Sequence, residues 1–280
     1  MNTNTKKPIS AFNYFGGKNA IKLQKFILQN LHKSPKMHLV DVFGGSAAIV
    51  LNHKGGGIKM RTFNDLNTDI YNFFQQLRDN SEELISKLEL SCHCRQDYES
   101  MDLSTITDPV EKARAFFIRT VSSFGNTGSL NKNNSWSYTI NDSRYNVSQS
   151  VARLLSKIEG LHLVVEELRH IQIECRDFRH ILSKYDGENT LFYVDPPYVR
   201  TTRSGHISYK HELSDQDQRE LISILNELKG HYLLSGYENE IYETHLKYKG
   251  KQTSHHHKTN ALKRTTEVVW SNYELTEDIA

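Results

Sequence analysis

Hydrophobic and polar positions follow two rhythms at both ends of this chain. Residues 37–43 form a short apolar run of strand type, 46–53 a small-residue apolar stretch read as a helix, and 59–64 a second strand. Residues 68–88 carry Ile70, Phe73, Phe74 and Leu77 at the spacing of one helix face. The same succession returns later as 171–175 (strand), 178–184 (helix), 190–194 (strand), 215–228 (helix, with Ser214 as N-cap) and 231–235 (strand). Strands alternating with helices predict an α/β fold built on a doubly wound sheet, mixed but mainly parallel.

The middle of the chain breaks this rhythm. Residues 80–165 begin helical, pass through the Ser- and Asn-rich stretch SSFGNTGSLNKNNSWSYTINDSRYN (122–146), and turn helical again over 151–168. The expected division is therefore a first part of the α/β domain at 1–79, an inserted and mostly helical domain at 80–166, and a second part of the α/β domain at 167–280. No internal repeat is present.

Composition adds limits. A chain of 280 residues, 37% hydrophobic, can bury a sizeable core. The formal net charge of +2 says little about partners, whereas its distribution says more. Lys112 to Lys157 holds seven Lys or Arg against one acid, Asp142, and Thr244 to Thr266 holds six and no acid. Three cysteines, Cys92, Cys94 and Cys175, argue against a disulfide framework and for a reducing cytoplasm. No apolar run reaches membrane-spanning length, and residues 1–10 lack the apolar core of a signal peptide.

Candidate chemistry centres on LFYVDPPYVR (191–200), an apolar strand that stops at Asp195, Pro196, Pro197 and Tyr198. In open α/β sheets ligands lie beyond the carboxyl ends of strands. Two prolines fix their own φ and donate no N–H, so the turn is rigid and its carbonyls are expected to be free acceptors. An exocyclic purine amine is a poor nucleophile because its lone pair is delocalised. An Asp195 carboxylate taking one N–H and the Pro196 carbonyl taking the other would draw the nitrogen toward tetrahedral geometry, with Tyr198 stacked on the base. Such an amine needs only an electrophile presented in line.

The electrophile's site is expected near the first strand. LVDVFGGSAAIVL (39–51) puts Asp41 at a strand end, followed by Gly44 and Gly45, without the spaced glycines of a pyrophosphate binder. RTFNDLN (61–67) ends a strand in Asp65, placed to accept from ribose hydroxyls. NYFGGKNA (13–20) is not a P-loop, since position 12 is Phe and Asn19 replaces the magnesium-binding Ser or Thr. The three histidines at 255–257 are adjacent and have no second ligand pair at standard spacing, so no metal is expected.

The order of these segments, together with ARAFFIRTVSSFG (113–125), LLSGY (233–237) and TTEVVWSN (265–272), resembles the DNA adenine methylase (Dam-like) family of S-adenosyl-L-methionine-dependent methyltransferases over nearly the whole chain. The resemblance implies a Rossmann-like methyltransferase domain with an inserted target-recognition domain. It implies that Gly17, Lys18 and Phe43 border the methionine part of the cofactor with Tyr14 nearby, that Asp41 receives its amino group, and that Gly44, Gly45 and Ser46 form the turn beneath it. Asp65 would hold the ribose, Asp177 and Phe178 the cofactor adenine, and Asp195 to Tyr198 the flipped target base, with Asp195 also bordering the cofactor. This cofactor carries no phosphate, so carboxylates facing its ammonium and ribose suit it.

The implied partner is double-stranded DNA, met by a monomer in solution, with a dimer on DNA as the alternative. Arg119, Asn126, Lys132, Trp136 and Arg144 are the candidate DNA contacts, with Arg114 and Arg153 as further cations and Phe124, Tyr138 and Tyr145 as further rings to wedge or stack. A second basic stretch, 245–264, is expected as a loop or hairpin on the same side. Relatives that read GATC carry a Pro-x-Gly turn in the recognition loop; LNKNNSWSYTINDSRYN (130–146) has no proline, which argues against GATC. Other readings are an RNA or protein-amide methyltransferase of the same fold, and a DNA-binding module without activity.

Overall fold

The computed structural model describes residues 8–14, 16–18, 21–55, 57–127, 135–144, 146–202, 210–256 and 265–275. In chain order its elements are α1 (Ile21–His32), β1 (His38–Asp41), β2 (Met60–Asn64), α2 (Thr68–Asp79), α3 (Ser81–Glu89), α4 (Arg95–Ser100), α5 (Pro109–Val121), β3 (Ser143–Arg144), β4 (Val147–Ser148), α6 (Gln149–Glu159), α7 (Leu161–Leu168), β5 (Ile171–Glu174), α8 (Phe178–Tyr185), β6 (Thr190–Val194), α9 (Asp215–Glu227), β7 (His231–Gly236), α10 (Glu240–His245), β8 (Gly250–His256) and β9 (Thr265–Ser271). The chain forms two compact units: Met1–Asn19, Gly45–Asn52 and Asn67–His170 make one, and Ala20–Gly44, His53–Leu66 and Ile171–Ala280 the other.

The second unit holds the expected sheet, seven strands in the order β5-β2-β1-β6-β7-β9-β8. β5, β2, β1, β6 and β7 run parallel, while β9 is antiparallel to β7 and to β8. All five residues of β6 are buried, as a central strand covered on both faces requires. One face packs on Ile181 and Leu182 of α8, Leu221, Ile222 and Leu225 of α9, and Ile241 and Tyr242 of α10. The second basic stretch supplies β8, so its beginning is one arm of a hairpin with β9; residues 257–264, with His257, lie outside the described residues.

His53 in this unit is 1% exposed, its ring 4.4 Å from that of His32. Burial, reinforced by His32 and Arg61, pushes its pKa down to about 4. An unfolded chain takes up that proton near pH 6.5, so the contribution of neutral His53 is complete above pH 6.5 and is lost as pH falls toward 4. Stability should decline over that window by about 3 kcal/mol from this group. Urea unfolding at pH 7.5 and 5 checks this: His53→Phe should flatten the decline, leaving the part due to the other histidines that burial holds below their usual range, His32, His38, His93 and His231, the last pushed down to about 4.

The first unit is helical, and it takes in residues before 80 as well as the 80–166 stretch. α2 buries Ile70, Phe73, Phe74 and Leu77, the face expected from sequence. Their rings meet Phe12, Phe116 and Phe117, with centroids 5.3 to 5.9 Å apart. Two helices expected as continuous are broken. Asn80, at φ −131, separates α2 from α3, and Gly160 separates α6 from α7.

Residues 46–53, expected as a helix, are instead a succession of turns. Ala47 adopts φ 58, the left-handed region, which no right-handed helix contains. Asn52 then ties the segment down, its amide donating to the carbonyls of Ala48 (2.8 Å) and Ile9 (2.6 Å). Among the described residues no helix is long and apolar enough to cross a membrane.

Candidate active site

Acids stand at the carboxyl ends of four adjacent parallel strands. Asp177 follows β5, Asp65 follows β2, Asp41 closes β1 and Asp195 follows β6. From β1 the chain winds one way to β2 and β5, then returns to the other side of β1 with β6 and β7. The switch point therefore lies between β1 and β6, where crevices open in such sheets, and Asp41 and Asp195 flank it.

The turns above these strands are tied together by Asn64, whose role no sequence pattern announces. Asn64 is 1% exposed; its amide donates to the carbonyls of Val42 (2.8 Å) and Arg176 (3.0 Å), and its oxygen accepts from the Arg176 N–H (2.9 Å). One side chain thus holds the ends of β1, β2 and β5 in register. Gly44 donates to the Asn64 carbonyl at 2.8 Å, and a Cβ there would lie 2.2 Å from the Phe63 ring. Only glycine lets the β1 turn pass that close.

Around this edge Phe43 and Phe178 stand with ring centroids 5.8 Å apart. Asp177 is the N-cap of α8, accepting from the Arg179 N–H at 2.9 Å, and Arg179 lies over the Phe178 ring at 4.4 Å. Arg179 also meets Asp217 and Glu220 at 2.5 and 2.7 Å, and with Ser214 it holds the Asp217 carboxyl down at about 2.

At the end of β6 the Asp195 turn is gripped from outside the motif. Ser235, fully buried on β7, donates to Asp195 Oδ1 at 2.9 Å and pairs with the Tyr193 hydroxyl at 3.1 Å. Gln218 of α9 donates to the Pro197 carbonyl at 2.7 Å and accepts from Tyr242 of α10 at 2.8 Å. The expectation that both proline carbonyls are free is corrected here: the Pro197 carbonyl is engaged by Gln218. Tyr198 donates to Glu267 of β9, and its ring meets Tyr237 edge-on at 4.7 Å. Burial first, then the charges of Asp195 and Glu267, push the Tyr198 phenol well above its usual range. Ser235, Gln218 and Glu267 received no role from sequence, although Glu267 carries one signal, a single acid in the otherwise uncharged strand TTEVVWS.

The remaining cofactor candidates belong to the helical unit. Gly17 donates to the Tyr14 carbonyl at 2.9 Å, and Lys18, 5% exposed, donates to the Gly16 carbonyl at 3.2 Å. Gly45, at φ 52, sits against Tyr14, whose ring a Cβ would meet at 3.5 Å. Tyr14 accepts from Asn67 at 3.4 Å, and Ser46 is buried.

The DNA candidates are placed unequally. Arg119 is 7% exposed; its guanidinium donates to the carbonyls of Tyr98 (3.0 Å) and Met101 (2.9 Å) and lies over the Tyr98 ring. A phosphate contact from Arg119 would require those bonds to be given up. Trp136 packs on His93 and Tyr98 at 4.1 and 5.3 Å. Arg144 is exposed on β3, Asn126 adopts φ 59 beside Gly125 at φ 65, and Phe124 is 78% exposed. Lys132 and Tyr145 lie outside the described residues.

A mainly parallel seven-stranded sheet with acids at its switch point and an Asp-Pro-Pro-Tyr turn is an α/β protein of the Rossmann-like methyltransferase type. Residues 14–264 match the family model of D12 class N6 adenine-specific DNA methyltransferases, and the chain belongs to that family. It is 26% identical to the type II methyltransferase M.FokI of Planomicrobium okeanokoites, over 94% of this chain and 43% of that protein. It is 23% identical to the DNA N-6-adenine-methyltransferase of Escherichia phage P1, over 78% of this chain and 28% of that protein. The chain thus spans less than half the length of these relatives.

Proposed function

We propose that the protein is a site-specific DNA methyltransferase that transfers a methyl group from S-adenosyl-L-methionine to the N6 amine of an adenine flipped out of double-stranded DNA. The observation that carries this reading is the Asp195–Tyr198 turn fixed at the switch point of the sheet, with acids in place of a phosphate cradle at the neighbouring strand ends. The donor set suits the cofactor: Asp41 for an ammonium, Asp65 for ribose hydroxyls, Phe43 and Phe178 as apolar walls for an adenine, and the close turn at Gly44 for access. Bound there, S-adenosyl-L-methionine supplies an electrophilic methyl group on a sulfonium.

The chain's own groups act on the amine. Asp195 accepts one N–H and the Pro196 carbonyl the other, while Tyr198 stacks on the base. As the nitrogen lone pair, withdrawn from the ring, forms the new bond to the methyl carbon, the bond from that carbon to sulfur would break with its electron pair left on sulfur as a neutral thioether, and the amine gives up one proton, for which Asp195 is the acceptor at hand. Most of the rate comes from positioning and fixed charge, so no covalent nucleophile is needed. Flipping relieves the duplex constraint on reaching N6.

The helical unit is read as the target-recognition domain, within the 80–166 insertion, with Arg144, Asn126 and Phe124 toward DNA and Lys132 as a phosphate contact. Replacing Arg144, if it reads a base, should relax discrimination at one position by about 1 to 3 kcal/mol, measured by titration against single-base variants of the mapped site. Asp65→Ala should weaken S-adenosyl-L-methionine binding by about tenfold and leave target preference alone, because a ribose contact carries no information about DNA. Calorimetric titration checks it. A reducing cytoplasm, where DNA is accessible, is the proposed setting; all three cysteines are free thiols.

The reading is tested by offering methyl-labelled cofactor with duplex DNA, RNA and protein together. Label on adenine N6 in the duplex is expected. Label in RNA or protein instead would favour the alternative substrates, and no transfer at all would favour a binding module.

A further inference from the structure

We propose that Glu267 is a positioning residue for the base site, acting through the Tyr198 hydroxyl to hold in place the ring that stacks on the target base. The proposal rests on the reading of Asp195 to Tyr198 as that base site. Glu267 stands on β9, a strand far from the motif in sequence, among Val268, Val269 and Trp270, all fully or almost fully buried. Its own exposure is 6%. A carboxylate at such a position costs stability that an apolar residue would not, so its place calls for a partner that uses it.

The partner is Tyr198, whose hydroxyl donates to Glu267 Oε1. The ring is then held at both ends. Its hydroxyl is anchored by Glu267, and its face or edge is set by Tyr237 at 4.7 Å and an interplanar angle of 71°. The backbone from which it springs is fixed by Gln218 on the Pro197 carbonyl. The phenol, held protonated through neutral pH by burial and the nearby acids, remains a donor throughout the working range. A tyrosine turns about two side-chain torsions; anchoring its hydroxyl fixes the first, while the second, whose axis passes through the hydroxyl oxygen, is limited by the edge-on Tyr237 ring, and a preorganised ring stacks at lower entropic cost. Glu267 is thus placed to act on the reaction through Tyr198, and a conservative acceptor in its place should serve.

Four variants test this: Glu267→Ala, Glu267→Gln, Tyr198→Phe and the double variant Glu267→Ala with Tyr198→Phe. Single-turnover methyl transfer is measured on duplex DNA carrying the mapped site, and flipping is followed by the fluorescence of 2-aminopurine at the target position. Glu267→Ala and Tyr198→Phe should each slow transfer by about tenfold or more and dim the 2-aminopurine signal, with cofactor affinity within about twofold of wild type. The double variant should be no slower than the worse single one to within about twofold, because both changes break the same contact. Glu267→Gln, whose amide oxygen accepts the same hydroxyl, should recover to within about threefold of wild type. Transfer by Glu267→Ala within about threefold of wild type, losses that multiply in the double variant, or failure of Gln to restore the rate would each overturn the proposal. Should Glu267→Ala melt below the assay temperature, Tyr198→Phe and Glu267→Gln decide it by the same limits. A wild-type protein that puts no methyl group on adenine would instead bring down the functional reading, and this proposal with it.

Discussion

Asp195→Ala is expected to reduce single-turnover methyl transfer by about a hundredfold or more, with cofactor and DNA affinities close to wild type. In the proposed mechanism the carboxylate accepts from the amine, a bond that strengthens as positive charge develops on nitrogen, so its loss should be felt chiefly in the transition state. Its neighbours make the effect specific. Ser235 donates to Asp195 at 2.9 Å and is itself paired with Tyr193, so truncation leaves the turn in place under Gln218 and Glu267. Activity within about tenfold of wild type would make Asp195 a structural cap, since a lost charged acceptor costs several kcal/mol.

Arg119→Ala is expected to destabilise the protein by about 3 kcal/mol, because two carbonyls lose their donor inside the helical unit and the Tyr98 ring loses its cation. Urea unfolding measures this directly. The salt dependence of DNA affinity, measured below the unfolding transition, should keep its slope; a slope reduced by about one phosphate contact would instead place Arg119 against DNA.

Arg119 also illustrates what sequence conceals. Its charge was counted in a basic stretch, but charge alone does not say whether a guanidinium faces solvent or the carbonyls of Tyr98 and Met101. By contrast, the acids at strand ends were legible. A central strand buried on both faces reads as an unbroken apolar run, so its end and the polar residue that follows stand out, as with Val194 and Asp195. The two-rhythm pattern gave the parallel strands for the same reason. Residues 46–53 misled because small apolar residues suit a helix and a tight turn alike, and the left-handed Ala47 is imposed by surroundings that local propensity does not contain.

The groups that fix the site were hidden for a different reason. Ser235, Gln218 and Glu267 reach Asp195, Pro197 and Tyr198 from 21 to 69 positions away along the chain; the sheet order sets β7 beside β6 with β9 next to β7, and the packing of α9 on the sheet brings Gln218. Asn64 reads in the sequence as part of a strand end, yet its place as a tie between three turns depends on Val42 and Arg176. Motif residues announce the chemistry; the residues that aim them are set by topology.

The proposed activity is methyl transfer to adenine N6 in DNA by the Asp195 turn. Its most direct measurement is nucleoside mass spectrometry of unmethylated duplex DNA incubated with S-adenosyl-L-methionine and either wild-type protein or Asp195→Ala. N6-methyladenine that accumulates with the wild type and not with the variant is the predicted result; its absence from both, or equal amounts with both, would contradict the account.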